Sequence, residues 1–167
     1  MLLQRQKTPK NVFCITLGAI KIVLNGGCII VMHAEKYIGL ANPNTNGICT
    51  HNGGKFINDQ LKSMAQQIKV LDEIHVYDFG STDDTRGIVQ SFGRCNNVKL
   101  EMQTVDLVRG PCYSFFYAIR QLSSKVSDDC LVYLCDQDDY WLPRKNLVIH
   151  DIAAQLERQG ELFIIHH

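Results

Sequence analysis

The feature that most restricts the fold is a continuous apolar run over residues 130–135, with a predicted helix on either side of it. Such a run is typical of a central strand in a parallel sheet, because helices cover both faces of that strand. Before the run, three other predicted strands alternate with three predicted helices. The strands are 47–50, 73–77 and 98–103, and the helices are 55–67, one ending near 92, and 113–124. This alternation predicts an α/β fold with a mostly parallel sheet flanked by helices.

Two residues are predicted to begin helices. Ser81 is expected to cap the second helix, with Asp84 completing a shortened capping box. Pro143 suits the first position of the last helix, over 143–159. Apolar residues at four-residue spacing are expected on the inner face of that helix: Val148, Ile152 and Leu156. A further strand is predicted over 162–165.

Residues 1–43 are predicted to form an N-terminal extension and linker, so that the main domain covers 44–167. The apolar stretch 12–32 resembles a signal peptide or membrane anchor, but Lys21 and the Asn25-Gly26-Gly27 sequence interrupt it. A membrane-spanning helix needs about 20 mostly uninterrupted apolar residues. Asn-Gly-Gly between two apolar runs predicts a β-hairpin, with a membrane-associated segment as the alternative. Residues 41–47 are rich in Asn, Pro and Gly and are predicted to be a linker.

Charge and cysteine content restrict the partners and the compartment. Seventeen Lys and Arg residues balance seventeen Asp and Glu residues, so the chain lacks the basic excess of a nucleic-acid-binding protein. Its seven cysteines are odd in number and form no Cys-x-x-Cys pair, which favours reduced thiols. We therefore expect a cytoplasmic protein that binds no nucleic acid, with association with a membrane surface left open.

An acidic cluster, Asp136-Gln137-Asp138-Asp139, directly follows the buried run. Three carboxylates this close repel one another, and the repulsion grows as they lose water. A hard cation relieves the repulsion; Mg²⁺ takes one or two carboxylates and completes its shell with water and phosphate. The cluster therefore predicts a Mg²⁺ or Mn²⁺ site for a nucleotide diphosphate. A solvated acidic turn is the alternative, whereas an EF-hand is excluded because Trp141 stands where Gly is required.

Polar residues also follow two other predicted strands. Asp78 is expected at the rim with a free carboxylate that could accept a hydrogen bond from uracil or ribose, and Gly80 allows the tight turn after it. Thr50 and Asn52 lie at the mouth of the first strand. An ordinary strand-to-helix turn is the alternative. No Gly-x-Gly-x-x-Gly or Walker sequence occurs, which disfavours dehydrogenase and P-loop folds.

Four segments together resemble one family, and they occur in that family's order: THNGGKFINDQLKSM from Thr50, DFGSTDDT from Asp78, RGPCYSFFYAI from Arg109, and DQDDYWLPRK from Asp136. The family is the inverting, family-2-type glycosyltransferases of the GT-A fold, and the resemblance covers about residues 46–165. The chain departs from the family pattern at four positions: His51, Gly54, Phe79 and Ser114.

The resemblance implies a role for each matching residue. Asp138 would ligate Mg²⁺ or Mn²⁺, Asp136 would contact the ribose or diphosphate and share the metal, and Asp139 would lie near the sugar or in the metal shell. The nucleoside would lie beside Asp78. Further contacts with the nucleotide sugar are expected from Thr50, Asn52, Gly80 and Ser81.

The implied activity is transfer of a sugar from a UDP- or dTDP-type donor to a glycan or lipid-linked acceptor, in polysaccharide or glycan synthesis. In the family the general base is an acid from the acceptor half, well beyond the metal motif. The resemblance therefore implies a GT-A-like domain truncated before that half, inactive alone and without an assignable catalytic base. The alternatives are a truncated or degenerate, non-catalytic nucleotide-binding domain, and a protein-interaction domain that binds no metal.

Overall fold

A seven-stranded sheet in the order β1-β2-β3-β7-β4-β5-β6 organises the chain. The computed structural model describes residues 13–17, 20–25, 28–33, 44–96, 98–106, 110–126 and 130–158, and it describes side chains from 44 to 151 within these ranges. The strands are β1 (Phe13–Leu17), β2 (Ile20–Asn25), β3 (Cys28–His33), β4 (Asn44–Thr50), β5 (Glu73–Asp78), β6 (Lys99–Thr104) and β7 (Leu131–Asp136). The helices are α1 (Ile57–Ala65), α2 (Thr85–Cys95), α3 (Pro111–Leu122) and α4 (Lys145–Arg158).

Four of the strands, β7, β4, β5 and β6, are parallel neighbours, and helices cover both of their faces. Residues of α1, α2 and α4 pack with one face of the sheet, as Leu61, Val89 and Ile149 illustrate. Residues of α3, among them Ala118 and Leu122, pack with the other face. This arrangement confirms the predicted α/β fold with a mostly parallel sheet, because strands buried on both faces need a helix layer on each side.

The remaining three strands extend the sheet in antiparallel fashion from β7. β2 pairs with β3 so that Asn25 lies opposite Cys28, which agrees with the hairpin predicted at this point. Whether residues 1–43 are a separate domain stays a prediction. Among the described residues, no helix is both long and apolar enough to cross a membrane. The strand predicted over 162–165 lies outside the described residues.

The predicted linker over 41–47 is wrong for its second half, because β4 begins at Asn44 and is buried along its whole length. Tertiary hydrogen bonds satisfy its polar groups. The Asn44 backbone N–H and its Nδ2 both donate to Asp72 Oδ2, at 2.7 Å each. Asn146 Nδ2 in turn donates to Asn44 Oδ1 at 3.1 Å. A buried polar strand is stable when its groups are paired in this way.

Both predicted helix starts are wrong. α2 begins at Thr85, since Asp83 Oδ1 accepts the Thr85 N–H at 3.1 Å, while the Ser81 hydroxyl accepts a hydrogen bond from Asn52 instead. α4 begins at Lys145, two residues after Pro143.

The inner face of α4 also differs from the prediction. Val148 is exposed, whereas Asn146, Ile149 and His150 are buried. The Asn146 amide, held by Asn44 Oδ1 and the Lys69 carbonyl, fixes the rotation of the helix about its axis. The side chains of the other two predicted inner residues, 152 and 156, lie outside the described part.

His150 makes the stability of the fold depend on pH. Burial lowers the pKa of its imidazole from 6.5 to about 4, with Lys69 acting in the same direction. Below pH 6.5 the unfolded chain therefore binds a proton that the folded chain does not bind until about pH 4. We expect the contribution of His150 to the free energy of unfolding to be fully present above pH 6.5. Acidification to pH 4 should lower this contribution by about 3 kcal/mol.

Urea unfolding at several pH values between 7.5 and 4.5 measures this dependence. The control is His150→Gln, which cannot titrate and should show a slope shallower by up to about 1.4 kcal/mol per pH unit. Equal slopes for the two proteins would contradict the role of His150.

Candidate functional site

The carboxyl ends of β7, β4 and β5 lie side by side at one edge of the sheet. Asp136 is paired in register with Cys49, and Thr50 is paired with Asp78. The three segments singled out in the sequence therefore converge, as expected for strand ends in a parallel sheet. All of the predicted site residues lie at these strand ends or in the loops that follow them: Thr50, Asn52, Asp78, Gly80, Ser81, Asp136, Asp138 and Asp139.

The loop after β4 is fastened to the loop after β5 by hydrogen bonds around Asn52. This residue has a left-handed backbone with a φ of 53°, which Asn tolerates better than most residues. Its N–H donates to the Ser81 hydroxyl at 2.8 Å, and its Oδ1 accepts the Thr82 N–H at 2.8 Å. Further along, the Gly54 N–H donates to Asp83 Oδ2 at 2.9 Å. Asn52 and Ser81 thus hold the two loops in one conformation.

The prediction that Asp78 is a free carboxylate at the rim is wrong, because the side chain is fully buried. Its Oδ2 lies 3.3 Å from Arg86 Nε and accepts the Ser81 N–H at 3.4 Å. Its Oδ1 has no hydrogen-bond partner among the described residues. Gly80 turns the chain directly afterwards with a φ of 71°, in agreement with the predicted tight turn.

The acidic loop after β7 combines partial burial with mutual repulsion. Asp138 is exposed, while Asp136 and Asp139 are half-buried. Burial raises the pKa of both half-buried carboxyls, and the charge of Asp138 raises each further. Asp139 Oδ2 is buried without a hydrogen-bond partner among the described residues. A hard divalent cation bound by these oxygens would stabilise the charged forms of the carboxyls.

Helix α1, together with Gln67 two residues after its end, holds the acidic loop from behind through polar side chains. Gln60 Nε2 donates to the Asp136 carbonyl, and Ser63 Oγ accepts the Trp141 N–H at 3.0 Å. Gln67 Nε2 donates to the Leu142 carbonyl at 2.9 Å. Positions three residues apart share a helix face, so Gln60 and Ser63 reach successive points of the loop.

Two residues of the site were not singled out from the sequence, Arg86 and Gln137. Arg86 is the second residue of α2, where a cation is disfavoured by the helix dipole, and that placement was a signal of a carboxylate partner. Gln137 Oε1 accepts hydrogen bonds from Thr50 Oγ1 at 2.9 Å and from the His51 N–H at 2.8 Å. Nothing local in the sequence indicates this contact, because it joins loops 86 residues apart.

Among the described residues, the one group of three metal-capable side chains whose ligand atoms lie within 4.8 Å of one another is Glu73, His75 and Glu101, on β5 and β6. Lysines already neutralise both carboxylates, since Lys99 Nζ lies 2.5 Å from Glu73 and Lys125 Nζ lies 2.5 Å from Glu101. This group is therefore an ion-pair network, and the candidate site lies at the strand ends.

Comparison with known proteins shows the family of the chain. The family model for glycosyl transferase family 2 matches residues 47–162, which include every predicted site residue. No curated protein sequence matches the chain.

Among solved structures, S. aureus TarS (residues 1–349) in complex with UDP is 26% identical, with a TM-score of 0.54, over 70% of this chain and 32% of that one. The same protein in complex with UDP-GlcNAc is 27% identical, with a TM-score of 0.55, over 70% and 31%. The mannosyltransferase PcManGT from Pyrobaculum calidifontis, 20% identical with a TM-score of 0.52 over 71% and 35%, shares the fold. The chain thus spans about a third of these proteins, and it belongs to glycosyltransferase family 2.

Proposed function

We propose that this domain binds a UDP-sugar together with Mg²⁺ or Mn²⁺ and forms the donor-binding part of a glycosyltransferase. The observation that carries the proposal is the position of the acidic loop after β7, directly beside the loops after β4 and β5 at one edge of the sheet. A nucleotide diphosphate needs both a cation for its phosphates and hydrogen-bonding groups for its nucleoside. These two requirements match the acidic loop and the neighbouring pair of fastened loops.

Asp136, Asp138 and Asp139 are the residues proposed to hold the cation. Asp138 is exposed and accessible to a hydrated ion, and Asp139 Oδ2 is a buried oxygen that lacks a hydrogen-bond donor among the described residues. When bound, the cation would act as a Lewis acid that stabilises the departing diphosphate. The protein contributes the position of the loop, which Gln60 and Ser63 of α1 hold through backbone hydrogen bonds.

The proposed nucleoside contacts are Asp78, Thr50 and Asn52, beside the turn formed by Gly80 and Ser81. Asp78 Oδ1 is an acceptor without a hydrogen-bond partner among the described residues, as an N–H of a uracil base requires. Because Asp78 is fully buried, this role requires movement of the side chains that cover Oδ1. UDP is favoured because TarS, the 26% identical protein, was crystallised with UDP.

Transfer to a glycan or lipid-linked acceptor belongs to the proposal, and so does a cytoplasmic location. None of the five cysteines with described side chains is in a disulfide, as expected in a reducing compartment. The alternative is a nucleotide-binding domain without transferase activity. We expect the chain alone, incubated with Mn²⁺, UDP-sugars and a panel of glycosides, to release UDP no faster when an acceptor is present. Acceptor-dependent release would exclude the non-catalytic alternative and would overturn the expectation that the domain is inactive alone.

Calorimetric titration with UDP tests the binding proposal. We expect Mn²⁺ alone to bind weakly, and UDP to bind at least about tenfold more tightly in Mn²⁺ than in EDTA, because phosphate oxygens complete the cation shell. GDP and dTDP, titrated in the same way, report the preference for the base. Equal UDP affinity in Mn²⁺ and EDTA would overturn the metal assignment.

A further inference from the structure

Gln137 joins the acidic loop to the loop after β4 through a single oxygen atom. Its Oε1 accepts the buried Thr50 hydroxyl at 2.9 Å and the His51 N–H at 2.8 Å. Gly53 leaves room for this contact, because a Cβ atom at that position would lie 2.6 Å from the same oxygen. The amide is therefore held in place by two donors and by close backbone approach.

The connection continues from the loop after β4 to the loop after β5. His51 Nδ1 lies within hydrogen-bond distance of the Phe79 carbonyl, at 2.7 Å, and the Asn52 N–H donates to the Ser81 hydroxyl at 2.8 Å. The acidic loop, the loop after β4 and the loop after β5 are thus linked in series. Gln137 supplies the link at the end nearest the carboxylates.

Gln137 is also part of the acidic loop itself. It stands between Asp136 and Asp138, and its own N–H donates to Asp136 Oδ1 at 3.2 Å. A change in the position of the carboxylates therefore moves the Gln137 backbone, and the side chain transmits that change to Thr50 and His51. An amide performs this task with a neutral oxygen, which adds no fourth charge to the three repelling carboxylates.

We infer that Gln137 is a positioning residue that couples occupation of the cation site to nucleotide binding. The inference rests on the proposed function, since it concerns the coupling of two sites placed there. Coupling between two ligands is reciprocal, so a fixed link should raise cation affinity with UDP bound and UDP affinity with the cation bound. Without the link, each ligand should still bind, but the gain that one gives the other should shrink.

The test measures the ratio of the UDP Kd in EDTA to the UDP Kd in Mn²⁺ for three variants. Gln137→Met keeps the length of the side chain and removes the oxygen, so we expect the ratio to fall about fivefold or more. Gln137→Glu keeps an acceptor oxygen and should preserve the wild-type ratio or raise it. The matched control is Gln90→Ala, on an exposed position of α2, which should leave the ratio unchanged.

The outcomes distinguish a coupling role of Gln137 from a merely structural one. A merely structural role for Gln137 would weaken both Kd values equally, and an unchanged ratio in Gln137→Met would overturn the inference. The inference would also be overturned if the ratio fell as much in Gln137→Glu as in Gln137→Met. A wild-type protein without any effect of Mn²⁺ would instead overturn the proposed function itself, and with it the coupling.

Discussion

Asp138→Asn is expected to abolish the effect of Mn²⁺ on UDP binding, a loss of about tenfold or more in affinity in the presence of the ion. Asp138 is the exposed member of the acidic cluster, so its carboxylate is the one most open to a hydrated cation. The substitution removes the charge and one of the two carboxylate oxygens, and an amide is a poorer ligand for a hard cation. Calorimetric titrations in Mn²⁺ and in EDTA measure the effect.

The fold should not change in this variant, because an exposed Asp→Asn substitution leaves no cavity and no unpaired buried group. We expect the free energy of unfolding to stay within about 0.5 kcal/mol of the wild-type value. Asp151→Asn, at an exposed position of α4, removes an equal charge away from the strand ends and serves as the control. If the two variants retain the same dependence on Mn²⁺, the cation is not held by Asp138.

Trp141→Ala is expected to have the largest effect on stability, lowering the free energy of unfolding by about 3–5 kcal/mol. Trp141 is 1% exposed and is the largest fully buried side chain of the described residues. Its ring packs edge-to-face on Tyr133, with centroids 5.1 Å apart, and Lys145 Nζ lies 4.5 Å from the ring centre. Removal of the indole would leave a cavity between β7 and the beginning of α4.

Two further substitutions calibrate this result in urea unfolding experiments. Trp141→Phe should cost clearly less, because it keeps most of the aromatic volume and removes an indole N–H that has no acceptor among the described residues. Leu142→Ala, at a neighbouring exposed position, should stay within about 0.5 kcal/mol of wild type. A cost below about 1 kcal/mol for Trp141→Ala would show that the ring does not anchor the loop.

Trp141 also links the stability of the fold to the candidate site. It stands two residues after Asp139, and its own N–H is bonded to Ser63 of α1. Trp141→Ala should therefore loosen the acidic loop. Mn²⁺-dependent UDP binding should weaken even at urea concentrations too low to unfold the variant. Loss of binding with retained α-helical signal would distinguish a loosened loop from an unfolded chain.

The sequence by itself determined the order of strands and helices and the place of the site. The apolar run before Asp136 predicts a buried parallel strand, because local hydrophobicity alone indicates burial on both faces. Once strands are known to be parallel, their carboxyl ends must share an edge, so Asp136, Thr50 and Asp78 were expected together. The shared edge depends only on the chain direction of each strand, so shifts of a few residues at helix and strand ends leave it unchanged.

Tertiary structure decided what depends on partners distant in the chain. Asn44 begins a buried strand because Asp72 and Asn146 satisfy its polar groups, although its local composition is that of a linker. Asp78 is buried because Arg86 pairs with it. A buried polar group is stable only when its hydrogen bonds are made, and no periodicity within a segment reveals a donor many residues away.

The same reason explains the rotation of α4 and the contact of Gln137. The four-residue spacing that placed Val148 inside was a valid helix pattern, but the buried amide of Asn146 turned the neighbouring Ile149 inward. The contact of Gln137 with Thr50 cannot be predicted from the acidic motif, since only the parallel pairing of β4 with β7 brings the two side chains together. Hydrophobic pattern thus fixed which segments are buried, and long-range hydrogen bonds fixed how their polar side chains are arranged.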